Sequence, residues 1–205
     1  MKIHKLFPSL LYEGSFSKGV SAKLNKKLLS DCRKLEEIDV EGRQWSEENY
    51  RGGYTSYSSH SELHKYFSAF GELEELLKPH VDRFTKAQYW DLGKGSLKMT
   101  SCWISRMAQH TYHPLHIHPL SVVSGTFYVR VPKHTSRLKI EDPRLDLMMA
   151  APSRKRSAPQ NFLNYIHLQP SEGRFYLFES WMRHEVPPNP VEGDRISVSF
   201  NFEWV

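Results

Sequence analysis

The stretch HPLHIHPLSVVSGTFYV at 113–129 carries His113, His116 and His118 directly ahead of a strand-like run. Imidazole is the commonest side-chain metal ligand, so histidines this close together raise the chemistry of a metal centre. His116 and His118 stand two apart. On an extended strand, residues i and i+2 share a face, and both rings can reach one ion. His113 has the other parity, and Pro114 interrupts the backbone between them, which assigns His113 to the rim. Two side chains rarely hold a catalytic metal. The third candidate is His184 in FESWMRHEVPPN, which follows the strand-like GRFYLF and precedes a Pro-Pro turn. That position suits the mouth of a barrel. A surface or turn-bonded role for each histidine stays open at this point.

The last strand-like run, RISVSFNFEW at 195–204, weighs on the choice. Arg195, Ser197, Ser199, Asn201 and Glu203 alternate with Ile196, Val198, Phe200, Phe202 and Trp204. One face is apolar and the other is continuously polar. An arginine fork with a serine hydroxyl beside it is a ready site for a carboxylate. The plainer alternative is an edge strand with one solvated face. In SGTFYVRVP, Tyr128 and Arg130 share parity and can face the same interior, or Tyr128 can belong to the core. Gly125 marks a bend or a close approach. Trp103 and Trp181 read as core aromatics. Ser124 and Asn201 are polar neighbours able to orient a ligand.

The elements that must position these residues fall into two halves. MKIHKLFP at the start alternates as a short strand stopped by Pro8. Helical spacing follows from Ser17 through Leu24, Leu28, Cys32, Leu35 and Ile38. The polar stretch EGRQWSEENYRGGYTSYSS comes next. A second helix is predicted from about Ser61, with Leu63, Phe67, Phe70, Leu73 and Leu77 on one stripe and a break at Pro79. Beyond DLGKGS, short β-branched and aromatic segments near 97–109, 122–132, 137–141, 164–169, 173–179 and 195–204 are separated by Gly, Pro and Ser. Helices first and short strands afterwards predict a mainly β chain with flanking helices, a jelly roll packed against N-terminal helices. The single domain of 1–205 would comprise a supporting region, 1–95, and a β core, 96–205. MMAAPSRKRSAPQN interrupts the strands, and the loop at 146–162 is long enough for a lid.

At 205 residues the chain suits one substantial domain. Hydrophobic residues make up 39% and charged residues of both signs are interspersed, which excludes wholesale disorder. The net charge of +5 favours an anionic small molecule but lacks the clustered basic stripe of a nucleic-acid binder. Two cysteines, Cys32 and Cys102, form no disulfide framework and fit a reducing, cytoplasmic setting. No stretch approaches a membrane span.

The segments HIHPLSVVSGTFYVRVP, DPR at 142–144, PSEGRFYLFESWMRHEVPPN and RISVSFN together resemble the Fe(II)- and 2-oxoglutarate-dependent dioxygenases. They are most similar to a branch of small oxygenases of bacteria and phages. The resemblance covers most of 97–204. It implies a double-stranded β-helix with Fe(II) held by His116, His118 and His184. It also implies 2-oxoglutarate bound through its distal carboxylate to Arg195 and Ser197, with Tyr128 assisting. The implied activity couples oxidative decarboxylation of 2-oxoglutarate to succinate with hydroxylation of a substrate, using molecular oxygen. The sequence departs from the wider superfamily at His118, where a carboxylate is usual. Three-histidine iron is a feature of cupin-type thiol dioxygenases that use no 2-oxoglutarate, so such a metalloenzyme is one alternative, although PLSVV lacks the glutamate of a typical cupin motif. A non-catalytic β-barrel binding module is another. Asp142 lies a whole strand away, and Glu185 should point away from its neighbour His184. The substrate stays unidentified, and a homodimer is left open.

Overall fold

The computed structural model describes residues 1–205. Six strands form the larger sheet: β1 (Leu11–Ser15), β2 (Gly53–Thr55), β3 (Leu97–Met107), β5 (Val123–Arg130), β8 (Arg174–Glu179) and β10 (Arg195–Trp204). Their order is β1-β8-β5-β10-β3-β2. The smaller sheet, in the order β4-β9-β6-β7, comprises β4 (His113–His116), β6 (Leu138–Glu141), β7 (Tyr165–Leu168) and β9 (His184–Val186). All the strand pairs are antiparallel, and neighbours in a sheet are mostly distant in sequence. That is the strand pattern of a jelly roll.

The predicted β segments of the second half are all present, within a few residues of their expected ends. β10 is central rather than an edge, flanked by β5 and β3. Its apolar members Ile196, Val198, Phe200 and Phe202 join one core with two helices, α1 (Lys18–Ile38) and α4 (Ser68–Ala87). Leu24, Leu28, Cys32 and Leu35 come from α1, and Phe70, Leu73, Leu77, Val81 and Phe84 from α4. Each fully buried large apolar side chain contributes about 1.5–3 kcal/mol. That packing turns the opposite, polar face of β10 toward the barrel interior. A second core of Met107, Tyr128, Leu138, Ile140, Tyr176 and Phe178 fills the space between the sheets.

Four local expectations are corrected. Residues 1–8 form no strand; Ile3, Leu6 and Phe7 are exposed, and the pairing strand begins at Leu11. Ile38 ends α1 on the outside rather than on its buried stripe. The polar stretch after it folds as a helix, α2 (Val40–Asn49), started by the Asp39 carboxylate, which accepts from Gly42 N–H at 2.9 Å. A four-residue turn, α3 (Leu63–Tyr66), precedes α4, and α4 runs through Pro79 without ending. Pro79 is on the exposed face, and the burial of Leu77, Val81 and Phe84 offsets its cost of ~3 kcal/mol.

Candidate metal centre

His116 closes β4 and His184 opens β9, and the two are register partners across the smaller sheet. Their ring centroids lie 4.3 Å apart. His118 stands beyond the end of β4, its backbone N–H bonded to Ser180 O at 2.9 Å. The two rings converge as their spacing predicts, His116 from the last residue of β4 and His118 from the residues just beyond it. The Nε2 atoms of His118 and His184 are 3.2 Å apart. Ligand atoms of His116, His118 and His184 all lie within 4.8 Å of one another.

Backbone carbonyls fix two of the tautomers. His116 Nδ1 lies 2.7 Å from Pro114 O, and His184 Nδ1 lies 2.8 Å from Met182 O. A carbonyl only accepts, so each Nδ1 carries the proton and each Nε2 keeps its lone pair. Burial, with His116 nearby, pushes His118 down to about 4 and His184 down to about 3. Both are neutral near pH 7, the state that binds a metal. The Nε2 lone pair of His184 faces His118 Nε2 at 3.2 Å, and a cation among the three rings would accept the lone pairs that His116 and His184 present. Imidazole donors suit iron, zinc, copper and nickel. The donor set fits Fe(II).

The rings face a cavity of about 350 Å³ lined along one wall by Arg195, Ser197, Ser199 and Asn201. Arg195 is 2% exposed, and its Nε has no hydrogen-bond partner. Its Nη1 touches Met107 Sδ at 3.0 Å, and its guanidinium lies 5.0 Å from the centre of the Tyr128 ring. The Tyr128 hydroxyl is buried and also unpartnered, and burial raises its pKa. A buried guanidinium without an acid costs several kcal/mol. A carboxylate entering beside Arg195 and Ser197 supplies what the guanidinium lacks. The residues present therefore fit a dicarboxylate cosubstrate as well as the metal.

No aspartate or glutamate lines the cavity. Asp142 is held by Arg144 at 2.9 and 2.8 Å, and Glu185 by Lys139 at 2.6 Å. Neither acid joins the histidines. His113 faces the same cavity but stands apart from the three, with its Nε2 2.7 Å from the Tyr50 hydroxyl. Burial, with Arg195 adding to it, pushes His113 down to about 3. Tyr50, Trp45 and Asn49 come from α2 and its end, a stretch whose pattern gave no sign of the site. Trp103 is buried and stacks on His118 at 5.7 Å, whereas Trp181 is half exposed rather than core. Gly125 is a close approach: a Cβ there would fall 2.4 Å from Phe200 Cε2. Ser124 Oγ lies 2.8 Å from both Asn201 Oδ1, to which it donates, and Ser180 Oγ. No residue of 146–162 lines the cavity, and Asp146 is tied to Arg183 at 2.8 Å.

Residues 101–201 match the family described as "Putative 2OG-Fe(II) oxygenase". No curated protein matches the sequence. Among solved structures, the chain is similar to a Pseudomonas putida prolyl-4-hydroxylase (14% identity, 95% of this chain and 92% of that chain, TM-score 0.62). It is also similar to HygX from Streptomyces hygroscopicus with nickel, 2-oxoglutarate and hygromycin B bound (14%, 95% and 82%, 0.57). A third likeness is to the viral collagen prolyl hydroxylase vCPH of Paramecium Bursaria Chlorella virus-1 in its 2OG complex (11%, 93% and 94%, 0.56). At these identities the structural likenesses concern the fold.

Proposed function

We propose, from the premise that this chain carries a 2OG-Fe(II) oxygenase domain over residues 101–201, that His116, His118 and His184 are its iron ligands and Arg195 its anchor for 2-oxoglutarate. The observation that carries the reading is the meeting, in one acid-free cavity, of three converging imidazoles and a buried arginine with an unpaired Nε. Three-histidine iron alone also suits an enzyme that uses no 2-oxoglutarate. Arg195 favours the reading with 2-oxoglutarate, because an unpaired buried cation at the cavity wall calls for an anionic ligand.

When bound, Fe(II) and 2-oxoglutarate supply the redox chemistry by which dioxygen is consumed, succinate and carbon dioxide form, and a substrate is hydroxylated. The chain's own residues do the rest. Pro114 O and Met182 O hold the His116 and His184 rings in the tautomer that presents Nε2. Arg195 pairs with the distal carboxylate, and Ser197 and the Tyr128 hydroxyl donate to it, which fixes the far end of the keto acid. Trp103 covers one face of the His118 ring and limits water there. The whole chain, 1–205, is read as one oxygenase domain, with 1–95 supporting a jelly-roll core of 96–205. Unpaired, buried Cys32 and Cys102 support a cytoplasmic setting.

Truncating one partner of a buried charge pair costs about 2–5 kcal/mol. Arg195→Ala should therefore weaken 2-oxoglutarate binding to the Ni(II)-loaded protein by about 100-fold, read by calorimetry. Succinate formation by the Fe(II)-loaded protein under oxygen should fall with it, while Ni(II) binding stays. Unchanged 2-oxoglutarate affinity would sink the assignment of Arg195.

A further inference from the structure

With a carboxylate paired to Arg195, no protein side chain offers an incoming substrate a formal charge: no Asp, Glu or Lys lines the cavity, and Arg195 is its single arginine, so the one positive charge left over belongs to the metal. What the cavity offers near the mouth is aromatic and uncharged polar surface. Trp103 stacks on the metal-ligand candidate His118, and Tyr57 meets Trp103 edge-on at 5.0 Å. An aromatic surface thus runs outward from the three-histidine group. Trp45 and Tyr57 line the same cavity, yet are 39% and 55% exposed, so their rings stand open to a ligand. The amides of Asn49 and Asn201 and the hydroxyl of Ser199 also line it.

We propose that the group oxidised here is a neutral sugar ring, its C–H face laid on the Trp45, Tyr57 and Trp103 surface and its hydroxyls directed to Asn49, Ser199 and Asn201. The proposal rests on the oxygenase reading above and names that site's substrate. An ammonium would leave water beside a positive metal with no acid to pair it, and a phosphate or further carboxylate would find no basic side chain free to pair it, at a cost of several kcal/mol. That disfavours nucleotides and free amino acids. Asn49 Nδ2 donates to Trp45 O and Asn201 Oδ1 accepts from Ser124, so a wholly apolar ring, such as a prolyl side chain, would leave the Asn49 carbonyl, the Asn201 NH2 and the Ser199 hydroxyl unused. A pyranose has an apolar C–H face and a hydroxylated edge, and matches both surfaces. Ligand cavities run from about 300 to 1,000 Å³. At about 350 Å³ this one has room for a single ring beside the cosubstrate. In the balanced reaction a ring C–H becomes C–OH with one atom of dioxygen. The other atom enters succinate, and carbon dioxide leaves.

The test loads the full chain with Ni(II) and 2-oxoglutarate, with loading checked by calorimetry, and follows tryptophan fluorescence. The probes are the methyl glycosides of glucose, galactose and mannose, then glucuronic acid, glucosamine and N-acetylprolinamide. At least one methyl glycoside should give a saturable change. The two charged sugars should bind at least about tenfold more weakly, and Trp45→Ala should weaken the glycoside by about tenfold without altering 2-oxoglutarate binding. Equal or tighter binding of a charged sugar or of the prolinamide overturns the proposal, as does loading without response to any glycoside. Failure to load overturns the oxygenase reading and this proposal together.

Discussion

Three neutral imidazoles leave a site one charge more positive than two imidazoles and a carboxylate. The surroundings of His118 are consistent with that choice: burial disfavours charge, Trp103 covers the ring, and no acid lines the cavity. In the proposed site the anionic cosubstrate would offset that further positive charge, since no acid of the protein lines the cavity. At this scale the expected outcome concerns His118. His118→Ala should weaken Ni(II) binding by about 10- to 100-fold, the range lost when even outer partners of a metal ligand are removed. His118→Asp keeps a donor in place and should retain one Ni(II) per chain. Titration of metal into the purified variants checks both. Loss of metal in neither variant would remove His118 from the ligand set.

The element on which the cavity mouth depends is α2, because it and the residue after it carry Trp45, Asn49 and Tyr50. Asp39 starts that helix and does more than cap it. Its Oδ2 accepts from the Tyr54 and Ser59 hydroxyls, each at 2.6 Å. Burial raises the carboxyl's pKa, but the hydrogen bonds from Ser59, Tyr54 and Gly42 together outweigh it and hold the group below the usual aspartate range. Asp39→Ala removes a cap worth about 1 kcal/mol and strands two hydroxyls, so unfolding free energy should fall by about 2–3 kcal/mol in urea denaturation. The sign of the pH effect follows from linkage. A carboxyl with a lowered folded pKa stabilises above its unfolded value of 3.8, and the contribution is lost as pH falls through the folded value. Asp39→Asn should therefore show a smaller loss of stability between pH 5 and pH 2 than the parent protein does. An equal loss in both would assign the acid sensitivity elsewhere.

Across the whole molecule, the helices and the larger sheet form one apolar body, and the chemistry lies between the other face of that sheet and the smaller sheet, which carries His116 and His184. The 146–162 loop lies outside this arrangement. Replacing residues 149–159 by a short Gly-Ser linker keeps the Asp146–Arg183 pair. It should leave 2-oxoglutarate and Ni(II) affinities within about twofold, since loop length changes closure entropy only slowly. A large loss of either affinity would return the loop to the site as a lid.

The sequence carried a good deal of this. Alternation in RISVSFNFEW set which side chains of β10 would face the cavity, because side-chain direction in a strand is a property of adjacent residues. Helical spacing placed Leu24 to Leu35 and Phe70 to Leu77 in the core for the same local reason. The polar pattern of α2 concealed a helix, since packing and the Asp39 cap outweigh composition there. What the tertiary structure alone decided is convergence. That β10 is central, that His116 faces His184, that His118 is held against Ser180, that Glu185 is spent on Lys139, and that Tyr50 reaches His113 all depend on pairings between distant residues. Periodicity reports only near neighbours, while register and cavity composition are fixed when the two sheets close on each other.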